Sequence, residues 1–133
     1  MALVEQPIPL PSDRYVSVHA FTAGFIKNFR MAGMQSSPAD LTVEELGIPA
    51  VSGAYDEPNY FHYPKRTKVL RVVQTDWFAG ACNAFRTLHL AGIYYWSIDF
   101  NTFTPTENAS KKIYDWLRTP SATAIQSCFA SVP

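Results

Sequence analysis

The chain has 133 residues, of which 47% are apolar and 17% charged, so it can bury a core and is not of the disordered class. Its 11 basic and 11 acidic residues balance, which gives no electrostatic reason to expect nucleic acid or an anionic membrane as a partner. No apolar run approaches the ~20 residues of a membrane span, and residues 1–14, with three prolines, do not resemble a signal peptide. We therefore expect one soluble domain over residues 1–133, with its compartment unknown.

The predicted elements alternate between strands and helices along the chain. An extended lead-in covers residues 1–14, and alternating β-prone residues predict a first strand at 15–20. Apolar residues on one helical face predict a helix at 21–32, and a strand at 41–46 follows. After an aromatic-rich loop, the pattern predicts a long helix at 65–88, a strand at 92–98, a helix at 105–117 and a short helix at 121–130. Because strands that alternate with helices pair in parallel, we expect the α/β class with three parallel strands.

The two cysteines, Cys82 and Cys128, are too few for a disulfide framework. Since nothing in the chain marks secretion, two buried free thiols are the expectation. The alternative is one bridge that ties the C-terminal tail to a helix in an oxidising compartment. His19 and His62 have no cysteine or acidic partner at a recognised ligand spacing, and there is no glycine-rich phosphate loop. We therefore predict no metal site and no cofactor.

Two strand ends carry the residues that point to a function. Residues 41–49, LTVEELGIP, place Glu45 near the end of a strand that Gly47 and Pro49 then break. Residues 92–100, GIYYWSIDF, end in Trp96 and Asp99. In parallel α/β proteins, ligands bind at the carboxyl ends of the strands. A carboxylate beside an aromatic ring at that edge suggests a carbohydrate site.

These segments resemble the last three βα units of the clan-A (β/α)8 glycoside hydrolases. Residues 41–49 look like the seventh strand, residues 77–82 and 90–100 like the seventh helix and eighth strand, and residues 12–20, more weakly, like the sixth strand. The resemblance covers residues 12–130, and it implies a partial TIM barrel from an enzyme that hydrolyses O-glycosidic bonds with retention. Two departures matter. Glu44 stands where these enzymes often have a small or hydroxyl residue, and the family's acid/base glutamate comes from strand four, to which no part of this chain corresponds.

The resemblance makes Glu45 the catalytic nucleophile and Trp96 the ring beneath the sugar at the cleavage point. Strand alternation places Glu45 on the face of Val43 and Glu44 on the opposite face, so only one of the two glutamates can point into a barrel mouth. For Trp96 the alternative is a core position between strand and helix. The further predicted substrate contacts are Asp99, Tyr55, Tyr60 and His19. Asp99 could instead cap the following turn, and the loop tyrosines could instead pack on their own loop.

Three strands alone would leave a sheet with two edges and an uncovered inner face that includes Val43. We therefore expect one of three outcomes: a fragment that is inactive alone, a chain that covers its open sheet by self-association or a partner, or marginal stability. The alternatives to the hydrolase fragment are a non-catalytic α/β module that binds sugar or protein, and a non-functional gene remnant.

Overall fold

The computed structural model describes residues 18–32, 37, 40–56, 63–64, 67–98 and 113–130. This part of the chain is of the α/β class. Its elements, in chain order, are α1 (Val18–Ala32), β1 (Thr42–Leu46), α2 (Arg71–Leu88), β2 (Gly92–Tyr95) and α3 (Pro120–Ala130). None of these helices has the length and apolar character that crossing a membrane would require.

Helix α1 buries one aromatic face. Phe21, Phe25 and Phe29, spaced four residues apart, are buried on that face, so the predicted helix at 21–32 is confirmed. The helix starts earlier than expected, because residues 18–20, predicted to complete a strand at 15–20, form its first turn. The Thr22 hydroxyl donates to the Val18 carbonyl oxygen at 2.8 Å within that turn. Packing of the helix overrides the alternating pattern here. The described residues therefore form two strands instead of the three expected, and residues 15–17 lie outside the described part of the chain.

Helix α1 packs closely on α2 where Phe21 meets Gly80. A Cβ placed on Gly80 would lie only 2.5 Å from the Phe21 Cβ, so the glycine is what permits this approach. Both Phe21 and Phe25 also contact the Trp77 ring edge-on, with centroids 5.3 and 4.7 Å apart. The centre of the core is therefore aromatic and lies between these two helices.

Helix α2 is shorter than the predicted helix at 65–88. Residues 67–70 are not helical, and the Leu70 N–H donates to the Ala50 carbonyl oxygen at 2.6 Å instead of extending the helix backwards. The helix ends at Leu88, where His89 takes a left-handed conformation with φ 53° and its N–H closes the last turn. The helix therefore starts later than predicted because of a tertiary hydrogen bond to the loop after β1, and the local periodicity of the sequence does not indicate that bond.

Strands β1 and β2 pair in parallel, as the alternation of elements predicts. Thr42 pairs with Gly92, Val43 with Ile93 and Leu46 with Tyr95. The strand predicted at 92–98 stops at Tyr95, although the Trp96 N–H still donates to the Leu46 carbonyl oxygen at 2.9 Å. Val43, expected to be uncovered in an incomplete barrel, is only 9% exposed because it belongs to the core cluster.

Helix α3 runs parallel to α2. The Thr75 and Ser121 hydroxyl oxygens lie 3.1 Å apart, and Cys82 is joined to Cys128 by a disulfide; both pairs are separated by 46 residues. The equal offset means that the two helices advance in the same direction, as the helices of a parallel α/β fold do. The helix predicted at 121–130 is confirmed. The expectation of two free thiols is wrong, because packing α3 on α2 brings the two Cα atoms to 5.7 Å, within bridging range.

The segment before α3 is only partly helical. Residues 105–112 of the helix predicted at 105–117 lie outside the described part of the chain. Residues 113–114 are helical, but 115–117 are not. There the Asp115 carboxylate accepts the Leu117 N–H at 3.0 Å, a local side-chain bond that competes with helix formation.

Candidate functional site

The candidate site lies where β1 and β2 end at the same edge of the sheet. Glu45 is one residue before the end of β1 and is exposed. Trp96 directly follows β2 and is 36% exposed. Because the strands are parallel neighbours and the Trp96 N–H bonds to the Leu46 carbonyl, the two residues leave the sheet at one rim. The arrangement places a carboxylate and an indole on adjacent strand ends.

An irregularity in β1 changes which side chains face outward. Between the pairs Val43–Ile93 and Leu46–Tyr95, two residues of β1 oppose the single residue Tyr94. Val43 and Leu46 are both buried, and Glu44 and Glu45 are both exposed. The predicted alternation, with the two glutamates on opposite faces, is therefore wrong, because a bulge inserts one residue and resets the period of two. Alternation no longer separates Glu45 from Glu44.

The outward side of the bulge is partly aromatic. Tyr94 opposes the two glutamates and is 64% exposed. Its neighbour Tyr95 points to the helix side of the sheet, where its ring contacts Phe78 of α2 and Phe129 of α3 edge-on, with centroids 5.0 and 6.1 Å apart. The sheet therefore has one face packed by helices, and it presents two carboxylates and a tyrosine ring outward.

Trp96 is held on two sides and partly open. Its ring contacts the Tyr114 ring edge-on, with centroids 5.5 Å apart. It also lies over Gly47, where a Cβ would come within 2.7 Å of the Trp96 carbonyl oxygen and 2.8 Å of the ring atom Cε3. The chain then continues through a cis peptide bond to Ser97. A ring that is fixed by neighbours yet about one-third exposed can serve as a platform for the apolar face of a sugar.

The loop tyrosine Tyr55 does not line this rim as predicted. It is only 4% exposed, and its ring packs edge-on against Phe21 with centroids 6.0 Å apart. Apolar packing has drawn it into the core, the alternative that the sequence left open, so the geometry gives no support to a substrate contact. Tyr60 and Asp99, the other predicted contacts near the strand ends, lie outside the described residues.

His19 lies on the first turn of α1 with an exposed side chain. Residues 18–20, predicted as part of a strand, are helical, so His19 is carried by a helix and not by a strand. Its role as a substrate contact stays a prediction.

A buried polar network next to the strand ends was not predicted from the sequence. Gln74 of α2 is fully buried, and its carboxamide hydrogen-bonds to groups from the loop after β1, from residues 113–114 and from α3. The guanidinium of Arg71 donates to the Gln74 Oε1 at 3.2 Å and to the Asp115 carbonyl oxygen at 2.6 Å. Burial lowers the pKa of Arg71, and the nearby Asp115 charge opposes that shift. The signal in the sequence was a glutamine at a core-facing position of an amphipathic helix, since a buried carboxamide requires partners.

Neither a group of metal ligands nor a match to a known protein helps to assign this site. Within the described ranges, no three His, Cys, Asp or Glu side chains are grouped so as to hold a metal ion. No family model, no curated protein and no solved structure matches the chain.

Proposed function

We propose that this chain is the C-terminal part of a glycoside hydrolase that cleaves O-glycosidic bonds by a retaining two-carboxylate mechanism. Glu45 is the nucleophile and Trp96 binds the apolar face of the sugar. The observation that carries the proposal is the parallel pairing of β1 and β2, which puts a carboxylate and a partly exposed indole at one rim of the sheet. The parallel course of α2 and α3 supports successive βα units in the same way.

The chemistry requires a second carboxyl group. In a retaining mechanism the nucleophile attacks the anomeric carbon while an acid about 5–5.5 Å away protonates the leaving oxygen. Water then cleaves the glycosyl–enzyme bond, and the same second group accepts its proton. In the proposal Glu45 forms the covalent bond, and the acid comes from strand four of the parent enzyme. The isolated chain should therefore bind sugar weakly and turn over little or none.

Hydrolysis assays test the assignment of Glu45. We expect negligible release of p-nitrophenol by the chain from p-nitrophenyl glucosides, galactosides, mannosides and xylosides of both anomers. Robust hydrolysis by the isolated chain that persists in Glu45→Gln would refute the role of Glu45. If the chain does hydrolyse a glycoside, Glu44→Gln is the matched control, since the bulge exposes both glutamates and only Glu45 is the proposed nucleophile.

Saccharide binding tests the site itself. Adding the same p-nitrophenyl glycosides to isotopically labelled protein should shift the NMR cross-peaks of the Trp96 indole and of Glu45. Trp96→Ala should abolish the saccharide-dependent shift at Glu45. If none of the glycosides shifts either signal, the carbohydrate proposal fails.

One observation favours a second candidate, a non-catalytic α/β module that binds sugar or protein. Tyr94 is 64% exposed and opposes Glu44 and Glu45 in the strand pairing, and an exposed aromatic residue can bind a ligand without any catalytic partner. Binding that is lost in Tyr94→Ala and unchanged in Glu45→Gln would favour this module over the hydrolase fragment.

A further inference from the structure

The side chain of Gln74 uses its complete hydrogen-bonding capacity. Its Nε2 donates to the Ile48 carbonyl at 3.1 Å and to the Tyr114 carbonyl at 3.0 Å, with the Ile113 carbonyl at 3.5 Å. Its Oε1 accepts from the Ser121 hydroxyl at 2.9 Å and from Arg71 at 3.2 Å. A carboxamide offers two donors and two acceptor positions, so every position is occupied.

The two donors and the two acceptors of Gln74 reach different parts of the molecule. The donors bind the loop that leaves β1 and the segment that carries Tyr114. The acceptors bind Ser121 of α3 and Arg71 of α2. The side chain therefore has a donor half that faces the strand ends and an acceptor half that faces the helices.

The donor half binds the two segments that contact Trp96, namely the loop after β1 and the segment that carries Tyr114. Ile48 follows Glu45 by three residues, and Gly47, between them, contacts Trp96. Tyr114 provides the ring that packs against Trp96. The Ala50 N–H also donates to the Ile113 carbonyl at 2.6 Å, so the two segments are joined directly as well. Gln74 thus fixes the exit of β1 relative to the ring behind Trp96.

We propose that Gln74 is a positioning residue, which sets the placement of Trp96 relative to Glu45 through its bonds to Ile48 and Tyr114. The inference rests on the proposed function for its meaning, because it concerns the spacing of the nucleophile and the sugar platform. Its physical basis is independent of the sugar. A buried carboxamide with all bonds made resists displacement, since any movement leaves a buried polar group unpaired.

Gln74→Glu tests the donor bonds of the side chain separately from its acceptor bonds. The carboxylate keeps both acceptors, so the bonds from Ser121 and Arg71 can persist. It lacks both donors and turns a negative charge toward the carbonyls of Ile48 and Tyr114. Thr75→Val is the matched control, because it removes a hydroxyl that donates to the Arg71 carbonyl oxygen at 2.9 Å and lies 3.1 Å from the Ser121 hydroxyl, both on the helix side, and it leaves the carboxamide intact.

NMR on the full chain provides the readout. In Gln74→Glu we expect the nuclear Overhauser contacts between the Trp96 and Tyr114 rings to weaken and the Gly47 amide to shift. In Thr75→Val both should stay as in wild type, even though the melting temperature falls. Unchanged ring contacts and an unchanged Gly47 amide in Gln74→Glu, or equal changes in both variants, would overturn the positioning role.

A measurement on wild-type protein covers the case in which Gln74→Glu does not fold. The Gln74 carboxamide protons should exchange slowly with solvent and show Overhauser contacts to residues 49 and 115, which follow the two accepting carbonyls. Rapid exchange without such contacts would overturn the inference. None of these readouts requires a saccharide. If no p-nitrophenyl glycoside binds, the proposed function fails while the NMR result on Gln74 still decides the positioning role.

Discussion

Removing the bond between Cys82 and Cys128 should cost this protein a large part of its stability. The two residues are 46 positions apart, and the bridge ties α3 to α2 at a buried position. In the chain-entropy model, a cross-link that closes a loop of this length reduces the entropy of the unfolded chain enough to stabilise the fold by about 4 kcal/mol. That is a large fraction of the free energy of unfolding of a typical domain, which is about 5–15 kcal/mol.

Urea unfolding with and without reductant measures this contribution. With a denaturant slope of about 2 kcal/mol/M, loss of the bridge should lower the midpoint by roughly 2 M. The double variant Cys82→Ala/Cys128→Ala is the control, because its midpoint should be low and insensitive to reductant. If free-thiol titration under denaturing conditions finds two thiols in oxidised protein, or if reductant leaves the wild-type midpoint in place, the reasoning is refuted.

Two further predictions concern the rim and the pH dependence of stability. Gly47→Ala should destabilise the fold by about 1–3 kcal/mol and shift the Trp96 indole signal in NMR, because the new methyl group meets Trp96 backbone and ring atoms. Gly92→Ala, whose Cβ would lie 3.2 Å from the Thr42 side chain and 3.7 Å from the Tyr94 ring, should leave that indole signal in place. Burial raises the pKa of the Asp76 carboxyl above its ordinary value of 3.8. Between the ordinary pKa and the raised one, the folded state binds the proton more tightly than the unfolded state does, so stability falls as pH rises through this range. Asp76→Asn should therefore be more stable than wild type at neutral pH and equal to it below the ordinary Asp pKa; a difference that is the same at both pH values would contradict this assignment.

Local patterns in the sequence were sufficient for most of the helices and for the pairing of the strands. The aromatic residues of α1 at a spacing of four, and the apolar periodicity of α2, predict helices because one face must be buried whatever it packs against. The alternation of strands and helices likewise predicts that β1 and β2 pair in parallel, and they do. The same logic predicted that Glu45 and Trp96 would leave adjacent strands.

Features that depend on a partner far along the chain were decided only by the tertiary structure. The bulge that exposes both Glu44 and Glu45 arises from the register with β2, and no property of β1 alone encodes that register. The burial of Tyr55 depends on contact with Phe21, and the disulfide depends on α3 packing beside α2. Apart from Arg71, three residues earlier on the same helix, the partners of Gln74 lie 26 to 47 residues away, so a sequence pattern marks the residue as buried and polar without indicating which segments it binds. The periodicity of apolar residues indicates which side of a helix or strand is buried. The bonds that place one element against another join residues that are distant in sequence, so they form only in the folded chain.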